Sequence, residues 1–273
     1  MARLGGPVLL VGSGKMGSAL LAGWLANGLP AADGYVVEPD PGLRTRARDA
    51  HGVAAFAEPH ELPTDLRPAA IVFAVKPQAM ATVLPAYENV VESGAVVLSI
   101  AAGTPIARFE AAFGSTTPVV RAMPNTPAAI GQGVTALFAN THVSATQREL
   151  CEGLMAAVGQ VLWIDDEEHM HAITAMSGSG PAYVFHLIEV MAKAAIKCGL
   201  PEALAWPMAR ATVAGSGALA ASSEDRVEDL RRAVTSPGGT TEAALEVLMA
   251  ADGAQPLFDR AVAAATQRSR DLA

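Results

Sequence analysis

Four hydroxyl side chains lie close together near the end of the chain, in the run Thr235-Ser236-Pro237-Gly238-Gly239-Thr240-Thr241, which we call the hydroxyl loop. The proline and the two glycines end one helical pattern, and Thr240 or Thr241 is suited to cap the next helix. Unpaired backbone N–H groups at a helix start, together with hydroxyls, can hold a small anion. We therefore expect an anion-binding loop, with a capped turn between two helices as the simpler alternative.

A glycine pattern, Gly12-Ser13-Gly14-Lys15-Met16-Gly17, follows a short apolar run and opens a helical pattern. Gly12 would allow a tight turn, Gly14 would let the backbone approach a pyrophosphate, and Gly17 would let the helix pack closely on the strand. The start of the helix would then present N–H groups to the phosphates. Because the pattern lies between a strand and a helix, it predicts a dinucleotide-binding site.

The type of dinucleotide depends on the end of the next strand. Glu38 lies there, about 20 residues beyond Gly17, where a carboxylate can accept hydrogen bonds from a ribose diol and would repel a 2′-phosphate. Arg44 and Arg46 lie on the following helix, where a guanidinium could bind that phosphate. The first feature favours NAD and the second favours NADP, so the choice between the two stays open.

Two further motifs follow predicted strands at the edge where open α/β sheets bind their ligands. In Val75-Lys76-Pro77-Gln78, Lys76 could hold cofactor or substrate charge, or could be an ordinary solvated lysine. In Met123-Pro124-Asn125-Thr126-Pro127, the prolines stiffen the loop and the Asn125 amide is suited to orient a nicotinamide or a ribose. A third motif, Ser177-Gly178-Ser179-Gly180-Pro181-Ala182-Tyr183, joins a short helical pattern to a long one, and its small residues would also allow close helix packing.

The elements that must position these motifs follow from the hydrophobic pattern. Short apolar runs predict strands at residues 7–11, 35–37, 71–75, 96–100, 119–122, 134–138 and 161–164, with helices that include 41–50, 78–87 and 145–158. This alternation predicts an α/β fold with a parallel sheet covered on both faces, a Rossmann-type domain over residues 1–166. Residues 167–273 show only helical patterns, apolar on more than one face, which predict an all-α domain that packs against a second copy.

Composition narrows the class of protein further. The 273 residues carry a formal net charge of −8 and include no basic run, which argues against binding to nucleic acid. No apolar run is long enough for a membrane helix, and Met1-Ala2-Arg3-Leu4 lacks a signal-peptide pattern, so we expect a cytoplasmic protein without a membrane partner. Cys151 and Cys198 both lie on apolar helical faces and are interpreted as core thiols. His169 and His171 do not share a helix face, and no metal site is expected.

In combination, the motifs resemble those of the pyrroline-5-carboxylate reductase family. The resemblance covers nearly the whole chain, and its five motifs occur in the family's order: Gly12-x-Gly14-x-Met16-Gly17, Ala74-Val75-Lys76-Pro77, Met123-Pro124-Asn125-Thr126-Pro127, Ser177 to Tyr183 and Ser236 to Thr241. It implies reduction of the cyclic imine L-1-pyrroline-5-carboxylate to L-proline by NADP(H) or NAD(H), the last step of proline synthesis. It also implies a homodimer through the helical domain, assembled in some relatives into larger rings such as a decamer.

The resemblance also assigns roles to residues of this chain. Thr241 matches the family threonine that hydrogen-bonds the imine nitrogen, and the substrate carboxylate would lie on the backbone N–H groups of Gly239, Thr240 and Thr241, beside Ser236. Glu167 matches an acidic residue ahead of the Ser177 motif, although a solvated acidic helix start explains it equally well. The implied cofactor-binding residues are Gly12, Ser13, Gly14, Lys15, Met16, Gly17, Glu38, Val75, Lys76, Pro77, Ala101 and Asn125.

The chain departs from the family pattern in three places. Ala233 lies where some relatives have a polar cofactor contact, and Arg226-Val227 lies where some have a His-Pro pair. Glu38 replaces the small hydroxyl that often helps to bind a 2′-phosphate. Because of the last difference, a preference for NADP is not implied.

Two other functions remain open. A related imine reductase or β-hydroxyacid dehydrogenase would share this architecture, but the latter needs a general-acid lysine, and Lys193 and Lys197 lie well past its expected position. A non-catalytic dinucleotide-binding regulator would have no reason to keep the hydroxyl loop. Assays with pyrroline-5-carboxylate separate the three.

Overall fold

An eight-stranded sheet organises the first part of the chain in this computed structural model, which describes residues 6–273. The strands are β1 (Val8–Val11), β2 (Gly34–Val37), β3 (Ala54–Phe56), β4 (Ala70–Phe73), β5 (Val96–Ser99), β6 (Val119–Met123), β7 (Gly133–Ala139) and β8 (Gly159–Trp163). Their order is β3-β2-β1-β4-β5-β6-β7-β8. The chain therefore leaves β1 in one direction towards β2 and later returns to its other side at β4, which creates the switch point where such sheets bind ligands.

The predicted parallel sheet needs two corrections. Strand β7 pairs antiparallel with β6, so β7 and β8 run against the other six strands. Strand β3 was not predicted, because Ala54–Phe56 is only three residues long and carries no run of branched apolar side chains. The N-terminal residues Met1 to Leu4, for which a strand without a signal peptide was expected, lie outside the described residues.

Twelve α-helices are found in the described residues, joined in places by short 3₁₀ turns. They are α1 (Lys15–Ala26), α2 (Pro41–His51), α3 (Met80–Val83), α4 (Glu88–Val91), α5 (Ile106–Phe113), α6 (Ala145–Ala156), α7 (His169–Ile173), α8 (Gly180–Lys197), α9 (Glu202–Ser222), α10 (Val227–Ala233), α11 (Thr240–Leu248) and α12 (Ala254–Asp271). The single helix predicted for residues 78–87 is wrong: 3₁₀ turns that start near Pro77 and Pro85 interrupt it, because proline lacks the N–H that a continuous helix requires.

The sheet buries side chains on both faces, as a sheet covered by helices on both sides must. Val8 and Leu10 of β1 belong to one apolar cluster and Leu9 and Val11 to another. Trp24 of α1 is 1% exposed in the first cluster, and its ring N–H donates to the Leu154 carbonyl at 2.8 Å. Strand β1 is therefore held by packing on both of its faces, which also fixes the position of the glycine turn that follows it.

The chain forms two compact units. The first contains the residues up to Gly178 together with Ala265–Ala273, and the second is Ser179–Ala264. The second unit contains helices alone, as the sequence predicts for this part of the chain. The predicted boundary at 166/167 stays a prediction, because compact packing places residues 167–178 and the last nine residues with the sheet.

Three smaller observations complete the fold. No helix among residues 6–273 is long and apolar enough to span a bilayer. Cys151 is buried, as predicted, and burial raises the pKa of its thiol to about 12. Cys198 is exposed in the chain, which corrects its interpretation as a core thiol: it lies at the C-terminal cap of α8, where the helical face has ended.

Candidate functional site

The glycine turn between β1 and α1 has the shape that a dinucleotide requires. Gly12 has a φ of +90°, and a Cβ built on it would lie 2.9 Å from Val75 Cγ1 and 3.0 Å from the Ala74 carbonyl oxygen. A Cβ on Gly17 would overlap the Gly12 carbonyl oxygen, so only glycine lets α1 approach β1 so closely. Around Gly14, by contrast, nothing lies within 4 Å of such a Cβ, which leaves room for a ligand to approach the backbone.

Helix α1 begins without a side-chain cap. Gly14 occupies the cap position and no side chain bonds to the first turn, so the free N–H groups there can receive a pyrophosphate. Ser13 and Ser18 stabilise the turn instead, because the Ser18 hydroxyl donates to the Ser13 carbonyl at 2.6 Å. The side chain of Lys15 is exposed beside these groups.

Glu38, directly after β2, holds its carboxylate against the glycine turn. Its Oε2 accepts the Ser13 N–H at 2.6 Å and the Ser13 hydroxyl at 3.2 Å, and its Oε1 accepts the Asp40 N–H at 3.0 Å. The residue is only 7% exposed. The carboxylate is thus fixed beside the glycine turn, where an acidic residue can accept hydrogen bonds from a ribose diol.

Charges of both signs lie around Glu38. Burial, followed by the charges of Glu58 and Glu38, raises the pKa of the Tyr87 hydroxyl above its ordinary value. Arg44 places a positive charge beside Glu38, because its Nη1 donates to the Glu38 and Pro39 carbonyls at 2.8 and 3.0 Å while its other N–H groups form no hydrogen bond within the described residues. A 2′-phosphate at this strand end would therefore meet both a fixed carboxylate, which repels it, and a guanidinium, which attracts it.

The segments after β4 and β5 lie at the same edge of the sheet, because β1, β4 and β5 are parallel neighbours. Val75 borders the glycine turn through its Cγ1 atom, while Lys76 is exposed and Pro77 starts a 3₁₀ turn. Ala101 is 4% exposed, and its N–H donates to the Ser99 hydroxyl at 3.3 Å. These residues lie on the opposite side of the switch point from Glu38, where the nicotinamide half of a dinucleotide extends.

Asn125, after β6, uses both ends of its amide within the protein. Its Oδ1 accepts the Val134 N–H at 3.0 Å, and its Nδ2 donates to the Ser177 carbonyl at 3.3 Å. Ser177 lies in a π-helical turn, Thr174–Gly178, a rare conformation that is frequent at functional sites. Asn125 therefore holds this turn against the end of β6. The sequence did not predict this structural role, and the predicted contact of Asn125 with the cofactor stays a prediction.

Glu167 is held in a similar way. Its Oε1 accepts from Arg121 Nη1 at 2.9 Å and from the Ile106 N–H at the start of α5 at 3.0 Å. Arg121 lies on β6 and only 4% of its side chain is exposed, so Glu167 supplies the counter-charge for a buried guanidinium. These contacts give Glu167 a structural role, and its predicted contact with substrate stays a prediction.

The hydroxyl loop joins α10 to α11 in the second unit. Gly238 has a φ of +70°, and a Cβ on Gly239 would lie 2.9 Å from the Ser236 carbonyl oxygen, so the tight turn requires both glycines. The expected threonine cap is wrong: Gly239 occupies the cap position without a side-chain hydrogen bond, and Thr240 and Thr241 are the first two residues of α11. Glycine is required because of the crowding at Ser236.

Within this loop, some polar groups are used and others are free. Thr235 Oγ1 donates to the Arg231 carbonyl at 2.7 Å, and the Gly239 N–H donates to the Ser236 carbonyl at 3.0 Å. The hydroxyls of Thr240 and Thr241 form no hydrogen bond within the described part of the chain, and neither do their backbone N–H groups. The groups of this loop that can bind a small anion, because they form no hydrogen bond among the described residues, are therefore the hydroxyls and backbone N–H groups of Thr240 and Thr241 and the hydroxyl of Ser236.

Three contacts that the sequence analysis missed stabilise the hydroxyl loop and the segments that contain Glu167 and His171. Glu242 Oε2 accepts the Gly238 N–H at 2.7 Å and so fixes the entry to α11. Arg121 pairs with Glu167, and His171 Nδ1 lies 3.0 Å from Ser269 Oγ in a buried hydrogen bond. An acidic residue three positions inside a helix was a usable signal for Glu242, whereas the other two pairs are separated by long stretches of sequence.

Two protein-family models match different parts of the chain. Residues 7–103 match the family model described as NADP oxidoreductase, coenzyme F420-dependent, and residues 167–272 match pyrroline-5-carboxylate reductase dimerisation. A pyrroline-5-carboxylate reductase of Pseudomonas aeruginosa is 42% identical over 97% of this chain and 96% of its own length. The chain belongs to the pyrroline-5-carboxylate reductase family. Another member of this family, from Haemophilus influenzae, is 36% identical over 97% of both proteins.

Solved structures of pyrroline-5-carboxylate reductases share the fold over nearly the full length. The enzyme of Coxiella burnetii superimposes with a TM-score of 0.92, at 34% identity and 98% coverage of both chains. The enzyme of Plasmodium falciparum, solved with NADP bound, gives a TM-score of 0.83 at 29% identity and 99% coverage of both chains. These matches confirm the Rossmann-type first domain and the helical domain predicted after it.

Proposed function

We propose that the chain reduces L-1-pyrroline-5-carboxylate to L-proline with a reduced nicotinamide dinucleotide. Two observations support this proposal together: the family membership over the whole length, and a loop with an unpaired threonine hydroxyl beside unpaired N–H groups at a helix start. A cyclic imine that carries a carboxylate needs both kinds of group. A reduced nicotinamide supplies the hydride, and the residues of the chain hold the imine nitrogen and the carboxylate in place.

We assign the substrate carboxylate to the backbone N–H groups of Thr240 and Thr241, at the start of α11. These groups are free, and the helix dipole favours an anion there. The Gly239 N–H is excluded from the set, because the Ser236 carbonyl accepts it. Ser236 itself is exposed on the loop, where its hydroxyl can reach the same anion.

We assign the imine nitrogen to the Thr241 hydroxyl. A protonated imine is already electrophilic, so no strong acid is required, and a hydroxyl that orients the nitrogen is sufficient. Thr241 is suited to this role because its Oγ1 has no partner to give up among the described residues. Most of the rate acceleration would then come from orientation and from fixed dipoles.

For the cofactor, we propose that Gly12 to Gly17 hold the pyrophosphate and that Val75, Lys76, Pro77 and Ala101 border the nicotinamide half. The choice between NADH and NADPH is close. The fixed carboxylate of Glu38 favours NADH, whereas a relative binds NADP and Arg44 and Arg46 lie nearby. We expect the two values of kcat/KM to differ by less than about tenfold, which corresponds to about 1.4 kcal/mol.

We propose a homodimer through the helical unit. Helices α8 and α9 expose large apolar side chains in the isolated chain, among them Phe185 at 60% and Met208 at 56%. Patches of this kind mark protein interfaces, and a dimerisation model of the family covers the region. Light scattering after gel filtration would test for a dimer and for a larger ring such as a decamer; a monomer at micromolar concentration would contradict the proposal. We keep the cytoplasm as the proposed location.

Initial rates test the function, measured as oxidation of the reduced cofactor with pyrroline-5-carboxylate and as reduction of the oxidised cofactor with 3-hydroxy acids. Turnover with pyrroline-5-carboxylate and none with 3-hydroxy acids is expected. Activity with hydroxy acids alone would favour a β-hydroxyacid dehydrogenase, and tight binding of NAD(P)H without turnover of the imine would favour a regulator. Either result would contradict the proposal.

A further inference from the structure

The segment of residues 100–105 between β5 and α5, which we call the Ala101 loop, lies at the ligand-binding edge of the sheet. It follows β5, the neighbour of β4, on the nicotinamide side of the switch point. The loop contains Gly103 in a left-handed conformation, with a φ of +68°. A loop in this position must be held, because small displacements of reacting groups reduce catalytic rates greatly.

Two contacts hold the ends of the Ala101 loop. At its start, the Ala101 N–H donates to the Ser99 hydroxyl at 3.3 Å. At its end, the Ile106 N–H donates to Glu167 Oε1 at 3.0 Å. Both partners lie in the same compact unit as the loop.

A third contact lies at the middle of the loop, where Gly103 packs against Leu272 from the C-terminal end of the chain. A Cβ built on Gly103 would lie 3.1 Å from the carbonyl oxygen of Leu272 and 3.3 Å from its carbonyl carbon. The backbone of Leu272 therefore passes close to Gly103, and a side chain at position 103 would fit only if the Leu272 backbone moved by a few tenths of an ångström. Gly103 is buried, although the Leu272 side chain itself is half exposed.

The C-terminal segment, Ala265–Ala273, is fixed by a buried polar pair. Ser269 Oγ and His171 Nδ1 are 3.0 Å apart, and the two residues are 5% and 6% exposed. His171 lies on α7, one turn beyond Glu167, whose carboxylate holds the end of the Ala101 loop. Residues 167–171 thus contact the Ala101 loop in two ways. Glu167 binds the end of the loop directly, whereas His171 acts indirectly, because it binds Ser269 in the segment whose Leu272 lies against Gly103.

We propose that Ser269 is a positioning residue for hydride transfer: through its hydrogen bond to His171 it holds Leu272 against Gly103 and so fixes the Ala101 loop beside the nicotinamide. This inference rests on the proposed function for its catalytic consequence only. The mechanical part, from Ser269 to the loop, depends on contacts within the chain and can be tested without substrate or cofactor.

Hydrogen–deuterium exchange tests the mechanical part in the full chain. Ser269→Ala removes one buried hydrogen bond, so amides of residues 101–106 should exchange about fivefold faster. Ser93→Ala is the matched control, because the Ser93 hydroxyl also donates one hydrogen bond, to the Val90 carbonyl at 2.7 Å, but lies before β5. It should leave exchange of residues 101–106 unchanged.

Gly103→Ala disturbs the same contact from the loop side. Alanine would crowd the Leu272 carbonyl and would also strain the left-handed backbone at position 103, so it should speed exchange of the Ala101 loop. If Ser269 acts through Leu272 and Gly103, the double variant should exchange little faster than Gly103→Ala alone, because that change has already broken the connection through which Ser269 acts. Fully additive effects would show that Ser269 does not act through this contact and would overturn the proposal.

Kinetics test the catalytic part. With pyrroline-5-carboxylate, Ser269→Ala should lower kcat about fivefold, leave the KM of the imine unchanged and raise the primary deuterium isotope effect from the reduced cofactor, whereas Ser93→Ala should change none of these. Faster loop exchange with an unchanged kcat would overturn the positioning role. If the unsubstituted protein does not turn over the imine at all, the proposed function fails, while the exchange experiment still decides whether Ser269 holds the loop.

Discussion

Replacement of Thr241 by valine isolates the hydroxyl that we assign to the imine nitrogen. Thr241 is the second residue of α11, and its Oγ1 forms no hydrogen bond among the described residues. Valine has nearly the same shape and leaves the backbone N–H in place, so the free energy of unfolding should change by less than about 0.5 kcal/mol. A hydrogen bond to a charged group contributes about 1.5 to 3 kcal/mol, so kcat/KM should fall roughly 10- to 100-fold.

The assay is the initial rate of cofactor oxidation at low pyrroline-5-carboxylate concentration, with unfolding in urea as a check on stability. Thr240→Val is the matched control, because Thr240 is the exposed first residue of the same helix and only its backbone N–H, which valine keeps, is assigned to the substrate. It should keep kcat/KM within about threefold, which corresponds to about 0.7 kcal/mol. Equal losses in the two variants, or no loss in Thr241→Val, would refute the assignment.

Three other predictions follow from the described contacts. Glu38→Ser should move the ratio of kcat/KM values towards NADPH by about tenfold or more, because it removes a fixed negative charge; an unmoved ratio would show that Glu38 does not contact the ribose. Glu167→Ala should lower the urea-unfolding free energy by about 3 kcal/mol, since it leaves Arg121 buried without a counter-charge, whereas the exposed Glu168→Ala should change it little. Cys151 should resist thiol reagents at pH 8 until the chain unfolds, and its raised pKa predicts that stability falls as pH rises above about 9, where only the unfolded chain releases the proton.

The cofactor half of the fold could be predicted because its signals are local. The glycines from Gly12 to Gly17 have the roles their spacing predicts: Gly12 has a positive φ and Gly17 has no room for a Cβ. The strands β1, β2, β4 and β5 were predicted from their apolar runs, because each is buried on both faces. The apolar runs do not indicate whether a strand is parallel or antiparallel to its neighbour, so the antiparallel pairing of β7 with β6 was missed.

Side-chain partners were beyond the reach of the sequence. Glu38 and Ser13 are 25 positions apart, and Arg121 and Glu167 are 46 apart, so nothing in their spacing predicts a bond. The cap of α11 was missed for a different reason: the crowding of Gly239 against Ser236 depends on the exact turn, which a preference for threonine at helix starts does not report.

The most direct test of the function is the product itself. The protein is incubated with pyrroline-5-carboxylate and a limiting amount of reduced cofactor, and amino-acid analysis then measures proline. One proline should form for each cofactor molecule oxidised, as L-proline alone. Oxidation of the cofactor without proline, or no oxidation despite saturating imine, would contradict the account.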